Sequence, residues 1–574
     1  MGTISDKLMR IINTKEDIRQ ALISKGYDVP TSIPFKEYAK MILDLPCKVD
    51  SFPDIEGIVA RYSASGLTNE QMAANPVWVD KTGNGHDLQL KNFAWKGMSG
   101  VGGYVADIDE WGTNSTAAYF ERNSIKITAT FKENDSLGLL YHNIKLRQSC
   151  VLKVTGIPEG CDAFLDDRLG NRFYMSEDGV YEIIPSNFLA EALYFSIEKY
   201  PERWYGSKLT IEQLPLYPGA LVFDGVDDCG VCDNFPILTK EKGYTVVVLR
   251  QWIEEKNDST ALVSNCKNWN QDGAFLFEYN NLRINFLNVA ISFGHVSSVD
   301  RGKSPFSYQT SKLYNGKNIK PGSFIGSNEL VVGKGNKDFP TVSNAAIWEI
   351  VILDHDATEE ELTKIKDYFV KTYPWLFPDQ AWTVVGKTNE DEDRATIANI
   401  TGNGNDLVLS NFGFAEGSGY NEEGEYAGYL VTDGVDDKII SSIFKMGNDW
   451  TVIGDWELIN TGKNDNAGIV KFDSIVIYNY NSMLINIKNG RNILIPDQNT
   501  VNAICSDGRI YSKDWKESIY NEETESTSKN FLTIGYSGNA YTKIAFKNLA
   551  IYPTVLSRED CIKAYNYLQT LKAK

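Results

Sequence analysis

The six residues Phe223-Asp224-Gly225-Val226-Asp227-Asp228 return as Thr432-Asp433-Gly434-Val435-Asp436-Asp437, and their surroundings return with them. Upstream, Thr82-Gly83-Asn84-Gly85-His86-Asp87-Leu88 is matched by Thr401-Gly402-Asn403-Gly404-Asn405-Asp406-Leu407. Downstream, Ile347 to Leu353 leads into Thr358-Glu359-Glu360-Glu361, as Phe546 to Tyr552 leads into Ser557-Arg558-Glu559-Asp560. A repeat of this length means one unit used twice. Asp224 lies 134 residues before Thr358 and Asp433 lies 124 before Ser557, so the later halves agree. The earlier halves do not: 142 residues separate Thr82 from Asp224 but only 32 separate Thr401 from Asp433. The surplus, about 110 residues, is the size of a small guest domain.

The organisation that follows is residues 1–46 as a helical module, 54–112 plus 217–377 as the first repeated unit, 113–216 as its insertion, and 379–574 as the second unit. Strand-length runs rich in β-branched and aromatic residues fill both units, among them Tyr244 to Leu249, Ala274 to Tyr279, Leu282 to Phe286, Leu330 to Gly333, Trp450 to Ile453 and Phe531 to Gly535. In the insertion, the segments Ser124 to Phe131, Cys150 to Thr155, Val180 to Ile184, Ala192 to Glu198 and Lys208 to Leu214 alternate in the same way and predict a small β-sandwich. Ser99 to Gly103 reads as an exposed loop leading into it. Helical periodicity is confined to the two ends of the chain and the exit of each unit. Thr358 with Glu361 forms a capping-box pattern, and a second exit helix starts at Arg558. Pro374 to Pro378 reads as a short, stiff linker.

The module at 1–46 is too small to bury a core alone, which makes docking or oligomerisation the favoured reading over a hairpin packed on its own chain. Its residues Lys7 to Ile18, Lys25 to Pro30 and Pro34 to Ala39 resemble the N-terminal module of bacteriophage tail and appendage proteins. The resemblance implies attachment to other virion proteins through 1–46. The repeated units resemble the laminin-G-like branch of the concanavalin A-like lectin and glucanase family, on Phe223-Asp224-Gly225, Lys312 to Gly316, Leu330 to Gly333 and Ile347 to Leu362, with Asp433-Gly434, Asp507 to Tyr511, Leu532 to Gly535 and Phe546 to Cys561 in the second copy. That resemblance implies mainly β architecture: two jelly-roll sandwiches, one with a small inserted sandwich. It does not fix function, since the fold serves many.

A formal net charge of −19 argues against phosphate-backbone binding, so nucleic acid is not an expected partner. The sequence has no apolar run long enough to span a bilayer and no secretory leader. Eight cysteines without a regular framework favour synthesis in a reducing cytoplasm. Asp224, Asp227 and Asp228, with Asp433, Asp436 and Asp437, are hard oxygen donors of the kind calcium takes, but an Asp-Gly turn joining two strands accounts for the same residues and is favoured. Cys229 and Cys232 have metal or redox spacing, yet they fall on an expected strand with no second pair, which favours a structural role. Trp78, Trp95 and Trp269 are the candidate glycan-stacking residues, each in or beside an expected loop, with packing in a sandwich core the favoured reading of each.

Hydrolysis of a glycan would need two carboxyl groups flanking the scissile bond. The Glu-x-Asp-x-x-Glu strand of the glucanase branch is absent, and Glu390 to Asp393 reads as a solvated cluster. The expectation is a non-enzymatic virion protein, a tail or head fibre or collar component, made in the host cytoplasm. It would be homo-oligomeric and in contact with a host surface glycan or protein, and the alternative is a glycan depolymerase.

Overall fold

A computed structural model describes Lys15 and residues 52–573, apart from 106–117, 132–149, 167–171, 184–193, 255–259, 267–272, 279–303, 319–326, 336–340, 460–467, 480–482, 488–490, 496–500, 520–531 and breaks of one or two residues. The expected N-terminal helices and the strand expected at 282–286 lie outside the described residues. Met1–Asp54 and Ile55–Lys574 are two compact units. The chain is mainly β, built as jelly-roll sandwiches of antiparallel sheets.

In the first sandwich, the strand Asn344–Leu353 is paired along its whole length with Thr245–Glu254. Its other edge is shared between Leu221–Asp224 and Ile58–Ser63. Phe306–Thr310 and the short hairpin Leu313–Tyr314 and Lys317–Asn318 extend this eight-stranded sheet. The facing sheet runs Gly273–Phe277, Val263–Cys266, Leu330–Val332, Cys229–Cys232, Leu88–Lys91 and Val77–Trp78. Between them lies an apolar core that includes Tyr62, Phe223, Val246, Val248, Phe275, Leu330, Ile347 and Ile350. The alternation of Leu88–Lys91, buried then exposed, shows why period-two patterning marks such strands.

The second sandwich repeats this arrangement. Ile544–Tyr552 pairs with Thr451–Leu458 on one side and with Leu430–Val431 and Gln380–Thr383 on the other. The long central pair carries a β-bulge at the matching place in each copy, between Leu249 and Arg250 and between Asp455 and Trp456. The core of the second sandwich includes Trp382, Leu407, Ile439, Trp456, Ile504, Leu532 and Phe546.

The insertion forms a five-stranded sheet (Gly179–Ile183, Cys150–Thr155, Lys208–Gln213, Lys126–Phe131, Ala118–Arg122) and a three-stranded one (Tyr194–Glu198, Asp162–Asp166, Arg172–Met175). Their core holds Phe131, Leu152, Leu165, Met175, Trp204 and Ile211. The guest leaves and re-enters through one neck, where the Leu216 and Tyr217 amides donate to the Gly103 and Gly102 carbonyls at 2.9 and 2.8 Å. Ser99 to Gly103 is therefore not an exposed loop. Gly100–Val101 is a buried strand beside Leu221–Asp224, and a Cβ on Gly102 would stand 2.8 Å from Pro215, so glycine is required by close packing rather than by solvent. The polar stretch before Thr82 also contains a helix, Asn69–Ala74, capped by Thr68.

Two helices complete the block. Glu359–Thr372 has the full Thr358/Glu361 capping box and buries Ile365 and Phe369. A 3-10 turn at Pro374–Leu376, with Trp375 and Leu376 buried, leads into the second sandwich. Arg558–Gln569 buries residues on most of its last two turns because it packs on two sides. Asn566 donates to the Pro215 carbonyl at 3.4 Å, and the Gln251 amide donates to the Thr570 hydroxyl at 2.9 Å. The second unit's closing helix is thus also a strut against the first.

Candidate functional site

Each of the duplicated acidic turns is a crossing between the sheets of a sandwich: Leu221–Asp224 and Cys229–Cys232 belong to opposite sheets. The Asp224 carboxylate accepts from the Val226 amide at 2.7 Å, and Asp228 accepts from the Asp224 amide at 3.0 Å and from the Ser99 hydroxyl at 3.0 Å. Asp433 and Asp437 repeat this with Val435 (2.7 Å), the Asp433 amide (2.7 Å) and Ser418 (3.2 Å). Asn92 and Asn411, both at positive φ, donate to the Asp227 and Asp436 carbonyls at 2.9 Å.

Burial pushes the Asp228 carboxyl up to about 7 and Asp437 up to about 6, against the pull of their amide and serine donors. One oxygen from each of the three acids lies within 4.8 Å of the others in both copies, so the set could hold a divalent cation. Against that, two of the three acids in each copy already serve as caps of the turn. The local geometry is accounted for by Asx-type turn chemistry.

Other sequence candidates fall elsewhere. Trp78 is 1% exposed, packed against Tyr62 and donating its indole N–H to the Ser63 carbonyl at 2.8 Å, so it is a core residue with no face for a sugar. Trp95 is half-buried at φ +55° and stacks on Phe93 at 4.8 Å, closing the core beneath the turn. Trp269 lies outside the described residues. Cys229 and Cys232 sit three apart on one strand and so face opposite ways, Cys232 into the core and Cys229 against Val231 and Val331. No single ligand can be shared by both.

One opening is not indicated by the sequence. It runs between the outer face of the first sandwich, the helix Glu359–Thr372 and the Ile400-Thr401-Gly402 segment of the second sandwich, with a volume of about 530 Å³. A second hollow of about 260 Å³ continues it toward the Pro374 to Asp379 linker, and the two share Ser304, Lys366, Ile400 and Thr401. Phe306 and Tyr308, two apart on one strand, put half-buried rings on this face with centroids 6.1 Å apart. Ser307, between them, points inward and is fully buried.

That inward side is anchored by charge. Glu278, at φ +53°, accepts from the Arg250 guanidinium, Trp252 (2.7 Å), Ser307 (2.7 Å) and Tyr314 (2.9 Å). Burial would push the Glu278 carboxyl up, but Arg250 and these donors outweigh it and hold it below the usual range. Asn315, which lines the groove at φ +45°, is fixed by the Tyr308 amide at 2.8 Å and reaches Ser307 at 3.2 Å. The groove's floor is therefore preorganised from the core outward.

No protein-family model and no curated protein matches this chain. Among solved structures, the chain is similar to Trypanosoma rangeli sialidase in complex with sialic acid (9% identity, 78% of this chain and 83% of that one, TM-score 0.25). It is also similar to the binding domain of botulinum neurotoxin serotype D (10% identity, 88% and 98%, TM-score 0.15). Scores this low carry no inference about activity.

Proposed function

We propose that this chain is a non-enzymatic appendage protein of a phage particle, a tail or head fibre or collar component, that holds β-sandwiches outward to contact host glycan or protein. The observation that supports this reading is the division at Asp54 and Ile55: a small unit, whose sequence resembles the N-terminal module of phage appendage proteins, precedes a large block of sandwiches. Sandwich rims and grooves on rigid sheets suit recognition. The protein would be made in the host cytoplasm, assemble as a homo-oligomer and join the virion through residues 1–46. Purified full-length protein applied to a glycan array and to host capsular polysaccharide tests it: binding without new reducing ends is the expected result, and release of fragments overturns it. One observation favours the depolymerase alternative, in that Glu359 and Asp379 line the two connected hollows of one groove. Glu359→Gln and Asp379→Asn would then abolish fragment release while leaving binding intact.

A further inference from the structure

We propose that the groove between the two sandwiches is an oligosaccharide site, and that it selects a sugar bearing a carboxylate, seated over Lys366. The inference rests on the adhesion reading above and names the place and the ligand class.

The rings of Phe306 and Tyr308 lie side by side, tilted by 51°, giving two apolar facets of the size that the C–H faces of successive pyranose rings cover. Around them stand an amide (Asn315), hydroxyls (Thr363, Thr401) and charged groups (Glu359, Lys366). Asn315, Thr363 and Thr401 already bond within the chain, but a purely apolar ligand would cover the exposed charges of Glu359 and Lys366 without partners, which is costly. A sugar meets both demands at once. The combined hollows also fall within the size range of ligand sites, roughly 300–1,000 Å³.

The charge arrangement narrows the ligand. Lys366 lines both hollows and so stands where they meet. Its ammonium has no carboxylate partner among the described residues, and it is exposed. Of the acids, Glu359 is seven residues earlier on the same helix, about 10 Å along the axis, and Asp379, which lines the smaller hollow with Lys366, accepts from the Gln380 and Asn403 side-chain amides at 3.1 and 3.5 Å. A carboxylated sugar at the centre supplies the missing counter-ion, with neighbouring hydroxyls hydrogen-bonding toward either end. A polyanion with a charge on every unit, such as a nucleic acid, would meet those acids.

Calorimetry on the full chain, using hyaluronan and unsulfated chondroitin tetrasaccharides, which carry a carboxylate on alternate sugars, as acidic probes and maltotetraose as the neutral one, decides the matter. The acidic probes are expected to bind at least tenfold more tightly. Lys366→Met, an exposed change that leaves the fold intact, should erase that preference, and Tyr308→Ala should weaken every probe by tenfold or more. Equal binding of the neutral sugar, or wild-type affinity in both variants, overturns the proposal. Adhesion to host cells separates this from the broader reading. A Tyr308→Ala/Lys366→Met double variant that still adheres as wild type does refutes the groove and leaves the adhesion role standing. A wild-type protein that does not adhere but binds the acidic probes through Lys366 refutes the role and keeps the groove.

Discussion

At the scale of single residues, the two copies agree atom by atom at positions that have no chemistry of their own. The Asn69 side chain bonds both backbone groups of Val101, accepting at 2.7 Å and donating at 3.3 Å, and Asn389 does the same for Tyr420 at 2.8 and 2.8 Å. A Cβ on Gly100 or Gly419 would fall 2.5 Å from those asparagine oxygens. Gly100→Ala, at φ +139°, should therefore lower stability by about 1–3 kcal/mol in thermal unfolding. Gly83→Ala, also at positive φ but facing open space, should cost about 1 kcal/mol. These asparagines were invisible in the sequence, because nothing local distinguishes an Asn that spans 30 residues from one in a loop. The acidic turns were legible as turns. Asp228 carries a folded-state pKa raised to about 7, above the ordinary carboxyl value, so folding holds its proton. The stability that this group contributes is fully present below about pH 4 and is lost as pH rises through about 7. Asp228→Asn should flatten that slope in urea titrations taken at several pH values. Since the turn uses these oxygens itself, millimolar calcium or its chelation should leave the melting temperature unchanged; a rise of several degrees with calcium would show that the acids take an ion.

Between elements, the copies diverge where the bulge places a side chain inside the sandwich. Opposite Ile347 the first copy has Arg250, and opposite Phe546 the second has Trp456. One core end is closed by an ion pair from Arg250 to Glu278, the other by an indole. Arg250→Met alone leaves Glu278 buried without its partner and should cost about 3–5 kcal/mol, whereas Arg250→Met with Glu278→Met should recover most of that loss, as read from paired denaturation curves. The helix at Glu359–Thr372 was legible because its cap is written within four residues. Thr358→Ala should destabilise it by about 1 kcal/mol. The packing of Trp78 was favoured but its strand was not legible, for the opposite reason: Val77–Trp78 has two residues, too few for alternation to show, and only its pairing with Leu88 turns the indole inward.

For the whole molecule, Arg558–Gln569 and Thr570 tie the second sandwich to the first through Asn566 and Gln251, and the guest module is held by a neck of paired backbone. Deleting residues 1–46 should leave a block with unchanged melting temperature that no longer enters assembled particles; normal incorporation, followed by immunoblotting of purified virions, would remove the docking role from that segment. The sequence by itself determined the duplication, the β content, the insertion and the exit helices, because each is encoded by local periodicity, turn residues or recurrence along the chain. Only the tertiary structure decided that the acidic turns cross between sheets, that Trp78 is core, and that a groove with Phe306, Tyr308 and Lys366 opens between the sandwiches. Its walls come from residues about 100 positions apart, and their meeting depends on how two finished sandwiches pack, a matter of long-range burial that no short window of sequence carries.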